Sequence, residues 1–203
     1  MASGNRILVL GIGNILWADE GFGVRTVERL AEDWAFPPDV TLMDGGTQGL
    51  YLLPHLETAD VLIVVDAIDY GLPPGTRRVF RDDDVPAFLG AKKMSLHQTG
   101  FQEVLASAML LGRCPGRMIL VGVQPEVLDD YGGGLTATVA AEVAPTVDAI
   151  RAILRDEFGI EAQPRRAAAE TAAPAITRDA YESGRPSAEE ACRIGDPRVL
   201  GLA

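Results

Sequence analysis

The stretch RILVLGIGNILWADEGFG, residues 6–23, decides the fold of this chain. Its first part, residues 6–12, is a short apolar run rich in branched residues, which is typical of a strand covered on both faces of a sheet. Glycines then turn the chain, and residues 21–34 follow with apolar side chains spaced for one face of a helix. The stretch therefore predicts a buried strand, a glycine turn and a helix.

The same order of elements also describes a nucleotide site, so the two interpretations must be separated. The dinucleotide fingerprint needs glycines at its first, third and sixth positions, and here Gly11 and Gly13 fit but Leu16 occupies the sixth. No Lys-Ser or Lys-Thr pair follows, so the P-loop pattern is absent as well. Asp19 and Glu20 would occupy the positive field at the helix start and repel a pyrophosphate. The turn therefore suits a cation, although the same carboxylates could simply cap the helix.

Composition limits the classes of protein to which the chain can belong. Its 203 residues predict one domain of ordinary size with a sizeable core. The net charge of −11 disfavours nucleic acid or an anionic membrane as a partner. No apolar stretch reaches the length of a membrane span, and no signal-peptide pattern precedes the first strand. We therefore expect a cytoplasmic protein without membrane insertion.

Strand and helix patterns alternate along most of the chain. This alternation predicts an α/β fold, a three-layer sandwich with a mainly parallel, twisted five-stranded sheet flanked by helices. The polar segment 76–81, with Arg77, Arg78 and Arg81, predicts a strand at the edge of that sheet. Strands are predicted at residues 6–12, 40–43, 61–66, 76–81 and 118–123, and helices at residues 21–34, 48–56, 95–111 and 135–158.

The composition changes near the C-terminal end of the last predicted helix. Residues 1–163 carry the α/β pattern, whereas residues 164–203 are rich in Ala, Pro, Arg and Glu and poor in large apolar side chains. Such a segment buries too little surface to offset its ordering entropy. We therefore expect a domain over residues 1–163 and a disordered or weakly docked tail over residues 164–203.

Carboxylates follow several of the predicted strands, and one imidazole begins the helix before the last strand. In open α/β sheets, sites form at the carboxyl ends of the strands, so these groups could converge on one rim. Each also has a structural interpretation, since an Asp often caps a turn and a histidine is often a hydrogen-bonded structural residue. The residues concerned are Asp19, Glu20, Asp44, Asp66, Asp69 and His97.

Oxygen donors together with one imidazole suit a borderline divalent ion such as Ni²⁺ or Zn²⁺. A metal with open positions can polarise a carbonyl group and acidify bound water, which is the chemistry of peptide or ester hydrolysis. The zincin motif His-Glu-x-x-His and the serine hydrolase motif Gly-x-Ser-x-Gly are both absent from the sequence. The residues thus indicate a metal-related site without deciding its reaction.

Five motifs resemble those of the [NiFe]-hydrogenase maturation endopeptidases in order and spacing, over roughly residues 6–160. They are GIGNILWADEGFG at 11–23, DGGT at 44–47, VVDA at 64–67, SLHQTG at 95–100 and GVQP at 122–125. The resemblance implies a metal-dependent endopeptidase that removes the C-terminal extension of the hydrogenase large-subunit precursor after nickel insertion. It implies nickel supplied by that substrate, no organic cofactor, and a protein that is monomeric when free.

The positions of these motifs imply, through the resemblance, that Glu20, Asp66 and His97 are the metal-contacting and catalytic residues. It gives Asp44 and Thr47 as substrate-positioning candidates, and it makes Asp19 a helix-capping neighbour of Glu20. The segment 126–134, which contains three consecutive glycines, is expected to be a flexible loop facing the substrate.

Two alternatives stay open at this point. One is a non-catalytic chaperone that senses nickel in the immature large subunit without cutting it. The other is a nucleotide-binding α/β protein, which Leu16 and the carboxylates at the helix start already weaken.

Overall fold

A five-stranded sheet with helices on both faces forms the described part of the chain. The computed structural model describes residues 5–85 and 96–165, with only the backbone for residues 96–99. These residues belong to the first of the two units into which the chain divides, residues 1–169. The expected tail lies outside the described residues from residue 166 onward.

The predicted elements occur in the predicted order, and two short strands that were not predicted occur at Trp34–Ala35 and Gln163–Pro164. The strands are β1 (Ile7–Ile12), β2 (Trp34–Ala35), β3 (Val40–Gly46), β4 (Val61–Ala67), β5 (Arg77–Arg81), β6 (Arg117–Val123) and β7 (Gln163–Pro164). The α-helices are α1 (Phe22–Asp33), α2 (Leu53–Thr58), α3 (Leu96–Leu110), α4 (Ala137–Ala140) and α5 (Val143–Phe158), and 3₁₀ turns occur at Ala18–Gly21 and Gly49–Leu52.

The main sheet has the strand order β3-β1-β4-β6-β5. Strands β3, β1, β4 and β6 are parallel, and β5 joins β6 antiparallel at one edge. This arrangement confirms the predicted α/β sandwich with a mainly parallel five-stranded sheet. Among the described residues, no helix is long and apolar enough to cross a membrane.

The three interior strands are buried on both faces, because helices cover the sheet from two sides. On one face, Phe22 of α1 and Ile150 and Leu154 of α5 pack with alternate residues of β1, β4 and β6. On the other face, Leu56 of α2 and Phe101 of α3 pack with the remaining residues of these strands. The continuous apolar runs of the sequence are therefore explained by burial on both faces.

The edge strand β5 is polar, as its sequence predicts. Arg77 forms an ion pair with Glu142 at 2.9 Å, and Arg81 forms one with Glu157 at 2.7 Å. These partly exposed pairs add little free energy of unfolding each, but they give the arginines of β5 partners at and along α5. Charged side chains also discourage another strand from pairing with this edge.

Two predicted helices are interrupted, and a proline lies near each interruption. The helix predicted at residues 135–158 divides into α4 and α5, because Pro145 has no N–H group for the carbonyl of Ala141. The helix predicted at residues 48–56 begins as a 3₁₀ turn, and Pro54 lies in the first turn of α2. Proline is tolerated in the first turn of a helix, and Pro145 and Pro54 lie in the first turns of α5 and α2.

A second, two-stranded sheet holds the end of the described chain. Strand β7 pairs antiparallel with β2, and the Arg165 N–H group donates to the carbonyl oxygen of Asp33 at 2.8 Å. The Arg151 guanidinium lies 3.2 Å from the centre of the Trp34 ring. The first residues of the segment that follows the predicted domain are therefore paired with the end of α1.

Two glycines, Gly11 and Gly23, allow helix α1 to lie close to the sheet. A Cβ atom on Gly23 would collide with the carbonyl oxygens of Val65 and Ile12, and one on Gly11 would collide with the Gly23 carbonyl oxygen. Only residues without side chains allow backbone to meet backbone at this distance. The start of α1 is therefore pressed against the ends of β1 and β4.

We predict that Gly23→Ala lowers the free energy of unfolding by about 2 kcal/mol or more, because the added methyl group forces α1 away from two carbonyl oxygens. Urea denaturation measures the change. The control is Gly100→Ala in α3, where a Cβ would meet only the Gly49 Cα at 3.7 Å. Alanine there should leave stability unchanged or raise it by up to about 1 kcal/mol. Equal stability of the two variants would contradict the close approach.

Candidate functional site

The sheet order places a topological switch point between β1 and β4. From β1 the chain continues to β3 on one side, and later to β4 on the other side of β1. Ligands bind outside the carboxyl ends of the strands at such a point, because the connections diverge and leave a crevice. Glu20 follows the end of β1, and Asp66 lies at the end of β4.

Glu20 lies in the 3₁₀ turn Ala18–Gly21 and is partly buried. Its N–H group donates to the Trp17 carbonyl oxygen at 2.9 Å. Its own carbonyl oxygen lies so close to Gly13, whose φ is +133°, that a Cβ at that position would collide with it. The turn also contacts β4. The glycine turn therefore places Glu20 at the junction of β1 and β4.

Asp66 is completely buried at the end of β4. One of its carboxylate oxygens accepts a hydrogen bond from the Ala67 N–H group at 2.8 Å. Alternation along the strand puts Asp66 on the same face as Leu62 and Val64, where α2 and α3 pack. The carboxylate is therefore turned toward the helix layer that contains α3.

His97 belongs to the first turn of α3. Its side chain lies outside the described part of the structure, so the convergence of Glu20, Asp66 and His97 stays a prediction. Among the described side chains, no three His, Cys, Asp or Glu groups are clustered closely enough to hold a metal ion.

Asp44 lies apart from Asp66, on the other face of the sheet. Its register partner on β1 is Gly11, whose partner on β4 is Val65, so two strand spacings separate Asp44 from β4. Partial loss of contact with water raises the pKa of the Asp44 carboxyl group, and the nearby Glu28 charge raises it further. The Gly46 N–H group and Arg25 act in the opposite direction. The expected single cluster is thus divided between two faces.

The side of the site that faces α1 contains a buried cation that the sequence analysis missed. Arg25 is 7% exposed and forms an ion pair with Glu28 at 3.1 Å. It also acts electrostatically on Asp44. Thr47, directly after β3, is exposed. The i,i+3 spacing of Arg25 and Glu28 was a signal for the pair, but burial of the guanidinium depends on tertiary packing.

Asp19 does not cap a helix, so the capping prediction is wrong. Neither the 3₁₀ turn nor α1 has a side-chain hydrogen bond at its N-cap. Instead, the fully buried Asp19 carboxylate accepts hydrogen bonds from the N–H groups of Glu126 at 2.8 Å, Val127 at 2.9 Å and Thr136 at 2.7 Å. The Thr136 hydroxyl donates to it at 3.1 Å. A buried carboxylate needs several donors, and a distant loop supplies them here.

Asp19 therefore ties the loop after β6 to the turn that carries Glu20. The expected flexible loop is held at both ends by one side chain, and its Gly132 N–H group donates to the Leu16 carbonyl oxygen at 2.7 Å. The Trp17 and Tyr131 rings meet edge to face with centroids 5.3 Å apart. Because Tyr131 is 60% exposed, an aromatic surface borders the Glu20 turn.

Asp69 stabilises the loop after β4 through hydrogen bonds. One of its oxygens accepts hydrogen bonds from the Gly71 N–H group at 2.9 Å and from Gln124 Nε2 at 3.0 Å. Gln124 is buried, and its Oε1 accepts hydrogen bonds from the N–H groups of Tyr70 and Leu72. One amide side chain from the end of β6 therefore holds the loop that follows Asp66.

Comparisons with known proteins agree on one family. A family model described as hydrogenase maturation protease matches residues 24–153. The hydrogenase expression/formation protein HupD of Rhodobacter capsulatus is 60% identical over 200 residues, which cover 98% of this chain and 94% of that protein. This similarity extends beyond residue 163, farther than the five motifs of the sequence analysis.

Two further comparisons cover a smaller share of the chain. The hydrogenase 2 maturation protease of Escherichia coli K12 is 46% identical over 163 residues, covering 80% of this chain and 98% of that protein. The solved structure of the hydrogenase maturating endopeptidase HybD from E. coli has a TM-score of 0.73 at 45% identity, covering 79% of this chain and 98% of that chain.

We predict that Asp19→Asn lowers the free energy of unfolding by about 2 to 4 kcal/mol, because an amide cannot accept all four hydrogen bonds. The N–H groups of Glu126, Val127 and Thr136 should exchange with solvent much faster, as measured by NMR-detected hydrogen exchange. The control is Asp129→Asn, an exposed residue of the same loop, which should change stability by less than about 0.5 kcal/mol. Unchanged exchange at all three amides would show that Asp19 does not hold the loop.

Proposed function

The chain belongs to the hydrogenase maturation protease family, and on that premise we propose that it cleaves the C-terminal extension from the [NiFe]-hydrogenase large-subunit precursor after nickel insertion. The observation that carries this proposal is the switch point between β1 and β4, where Glu20 lies in the turn after β1 and Asp66 lies at the end of β4. Helix α3, which carries His97 in its first turn, packs on the face toward which Asp66 is turned.

Glu20, Asp66 and His97 contact the nickel ion that the precursor brings with it. Two carboxylates and an imidazole suit a borderline divalent ion, so these side chains complement a metal that the precursor already holds. Their contacts fix the scissile peptide beside them, and positioning of this kind supplies much of the rate enhancement in enzymes. Either a carboxylate acting as general base or the metal then activates the attacking water.

The burial of Asp66 bears on how the precursor is recognised. A carboxylate with no exposed surface in the free protein is reached only after the carboxyl edge of the sheet opens. A nickel-loaded precursor stabilises the opened edge, because its cation contacts Asp66. A precursor without nickel gives Asp66 no such contact to replace those it loses when the edge opens. This difference makes cleavage a checkpoint for metal insertion.

Asp44 and Thr47 position the precursor from the α1 side of the edge. Asp44 lies near the end of β3 and Thr47 directly follows that strand, and Arg25, which pairs with Glu28, acts electrostatically on Asp44. A carboxylate that has lost part of its hydration forms stronger hydrogen bonds with a bound peptide than one surrounded by water. Asp66 and Asp44 therefore act on different parts of the precursor, because they lie on opposite faces of the sheet.

The charge of the chain favours the same partner. A net charge of −11 disfavours nucleic acid and favours a partner with a cation or a basic surface. A precursor with a bound nickel ion meets this requirement. We further propose that the protein acts in the cytoplasm as a monomer and needs no organic cofactor.

We predict that the protein releases the C-terminal peptide from nickel-loaded precursor, as detected by mass spectrometry. Glu20→Gln, Asp66→Asn and His97→Ala should each reduce the rate at least about 100-fold, because each removes a contact to the metal. The matched control is His55→Ala, which changes the other histidine of the chain, in α2. Tight binding of the precursor without cleavage would instead support the nickel-sensing chaperone. Normal cleavage by all three variants would overturn the site.

We also predict that nickel in the precursor controls the reaction. Precursor freed of nickel by a chelator and then desalted should be cleaved at least about tenfold more slowly, since it lacks the ion that Glu20 and Asp66 contact. Restoring nickel to the precursor should restore the rate, whereas preincubating only the protease with nickel and removing the excess should not. Equal rates for metal-free and nickel-loaded precursor would refute recognition through nickel.

A further inference from the structure

The proposed function gives no role to the segment Gly122-Val-Gln-Pro125 at the end of β6. In the sheet, Gly122 is the register partner of Asp66 on the neighbouring strand β4. Paired strands lie about 4.8 Å apart, so the backbone of Gly122 borders the buried carboxylate of Asp66. The absence of a side chain at residue 122 leaves a space next to Asp66 on the face covered by α2 and α3.

The Tyr70 side chain fills this space. A Cβ atom on Gly122 would collide with the Tyr70 hydroxyl oxygen and would lie 3.0 Å from the ring carbon that bears it. The hydroxyl oxygen is buried, and the ring packs at a tilt of 48° against Phe80, with centroids 5.5 Å apart. The tyrosine therefore reaches from the loop after β4 back over β6, and its polar end lies above Gly122.

A hydrogen bond to Gln124 also holds the backbone of Tyr70. Gln124 accepts a hydrogen bond from the Tyr70 N–H group at 2.7 Å, and its amide nitrogen donates to Asp69. The same segment thus supplies both the space for the hydroxyl, through Gly122, and the anchor for the backbone, through Gln124. A phenylalanine at residue 70 would fill the apolar part of the space between Gly122 and Phe80 equally well. Packing alone therefore does not account for a hydroxyl group there.

The hydroxyl group and the Asp66 carboxylate interact electrostatically. Burial raises the pKa of Tyr70, the negative charge of Asp66 raises it further, and Arg78 opposes the shift. Toward a carboxylate, a protonated phenol acts only as a hydrogen-bond donor.

We propose that Tyr70 is a positioning residue of the site, whose hydroxyl group, held over Gly122, donates toward the Asp66 carboxylate and fixes its orientation for the substrate. This inference rests on the proposed function, since it assigns Tyr70 a part in the same reaction. The Ala67 N–H group holds one oxygen of Asp66, and the proposed role of the Tyr70 hydroxyl is to direct the other. Two donors of fixed position then set the plane of the carboxylate.

The first test is Tyr70→Phe, with cleavage of nickel-loaded precursor followed at several precursor concentrations. A hydrogen bond to a charged group corresponds to about a tenfold to hundredfold change in rate, so kcat should fall by that factor. KM should change less than about threefold, because the hydroxyl acts on Asp66 rather than on precursor binding. The control is Tyr51→Phe, which removes a hydroxyl from a side chain that is 84% exposed.

The second test uses Gly122→Ala, which displaces the hydroxyl without removing it. In the otherwise unchanged protein, this substitution should lower kcat about as much as Tyr70→Phe does. In the Tyr70→Phe background it should cause less than about a twofold further loss, because no hydroxyl is left to displace. Thermal unfolding checks that each variant folds, and if Gly122→Ala does not fold, the kcat and KM of Tyr70→Phe decide the matter.

The outcomes separate the inference from the function on which it rests. Cleavage by the unchanged protein together with an unaltered kcat in Tyr70→Phe overturns the inference and leaves the proposed function intact. Losses that multiply fully in the double variant also overturn it, since the two changes would then act independently. A chain that cleaves no precursor at all overturns both.

Discussion

Contact between backbones at the start of α1 is the constraint on which the rest of the structure depends. Gly23 allows the helix to lie against the carbonyl oxygens of Val65 and Ile12, and Gly11 allows the strand to meet the helix in turn. No side chain separates these segments, so their distance is set by the van der Waals radii of backbone atoms. The start of α1, which directly follows the turn that carries Glu20, is thereby fixed against the ends of β1 and β4.

Buried polar side chains then attach the loops to this junction. Asp19 holds the loop after β6 through four hydrogen bonds, and Gln124 holds the loop after β4 through its amide group. A buried carboxylate or amide left without hydrogen bonds is destabilising, so each loop is favoured in the position that supplies its partners. The carboxyl edge is in this way ordered by a few polar groups, although its loops contain several glycines.

The site that results has two sides with different properties. Toward α2 and α3, Asp66 is buried, and the Tyr70 hydroxyl lies over Gly122 of the neighbouring strand β6. Toward α1, Asp44 is exposed beside the charged pair of Arg25 and Glu28. Under the proposed function, the buried side of the site contacts the nickel ion of the precursor, and the exposed side positions its peptide.

The sequence by itself determined the strands, the mainly parallel sheet and the polar edge strand, because hydrophobic periodicity and charge are local properties of a chain. It also placed Glu20, Asp66 and His97 near the carboxyl ends of strands or in the first turn of a helix. Only the tertiary structure decided that Asp19 anchors a loop, that Asp44 lies on the face opposite Asp66, and that Tyr70 occupies the space over Gly122. The donors to Asp19 are more than 100 residues distant in the chain, and no local pattern records which loop will supply them. A buried charge finds its partners only after the chain has folded around it, so its role is a property of the fold rather than of its neighbours in sequence.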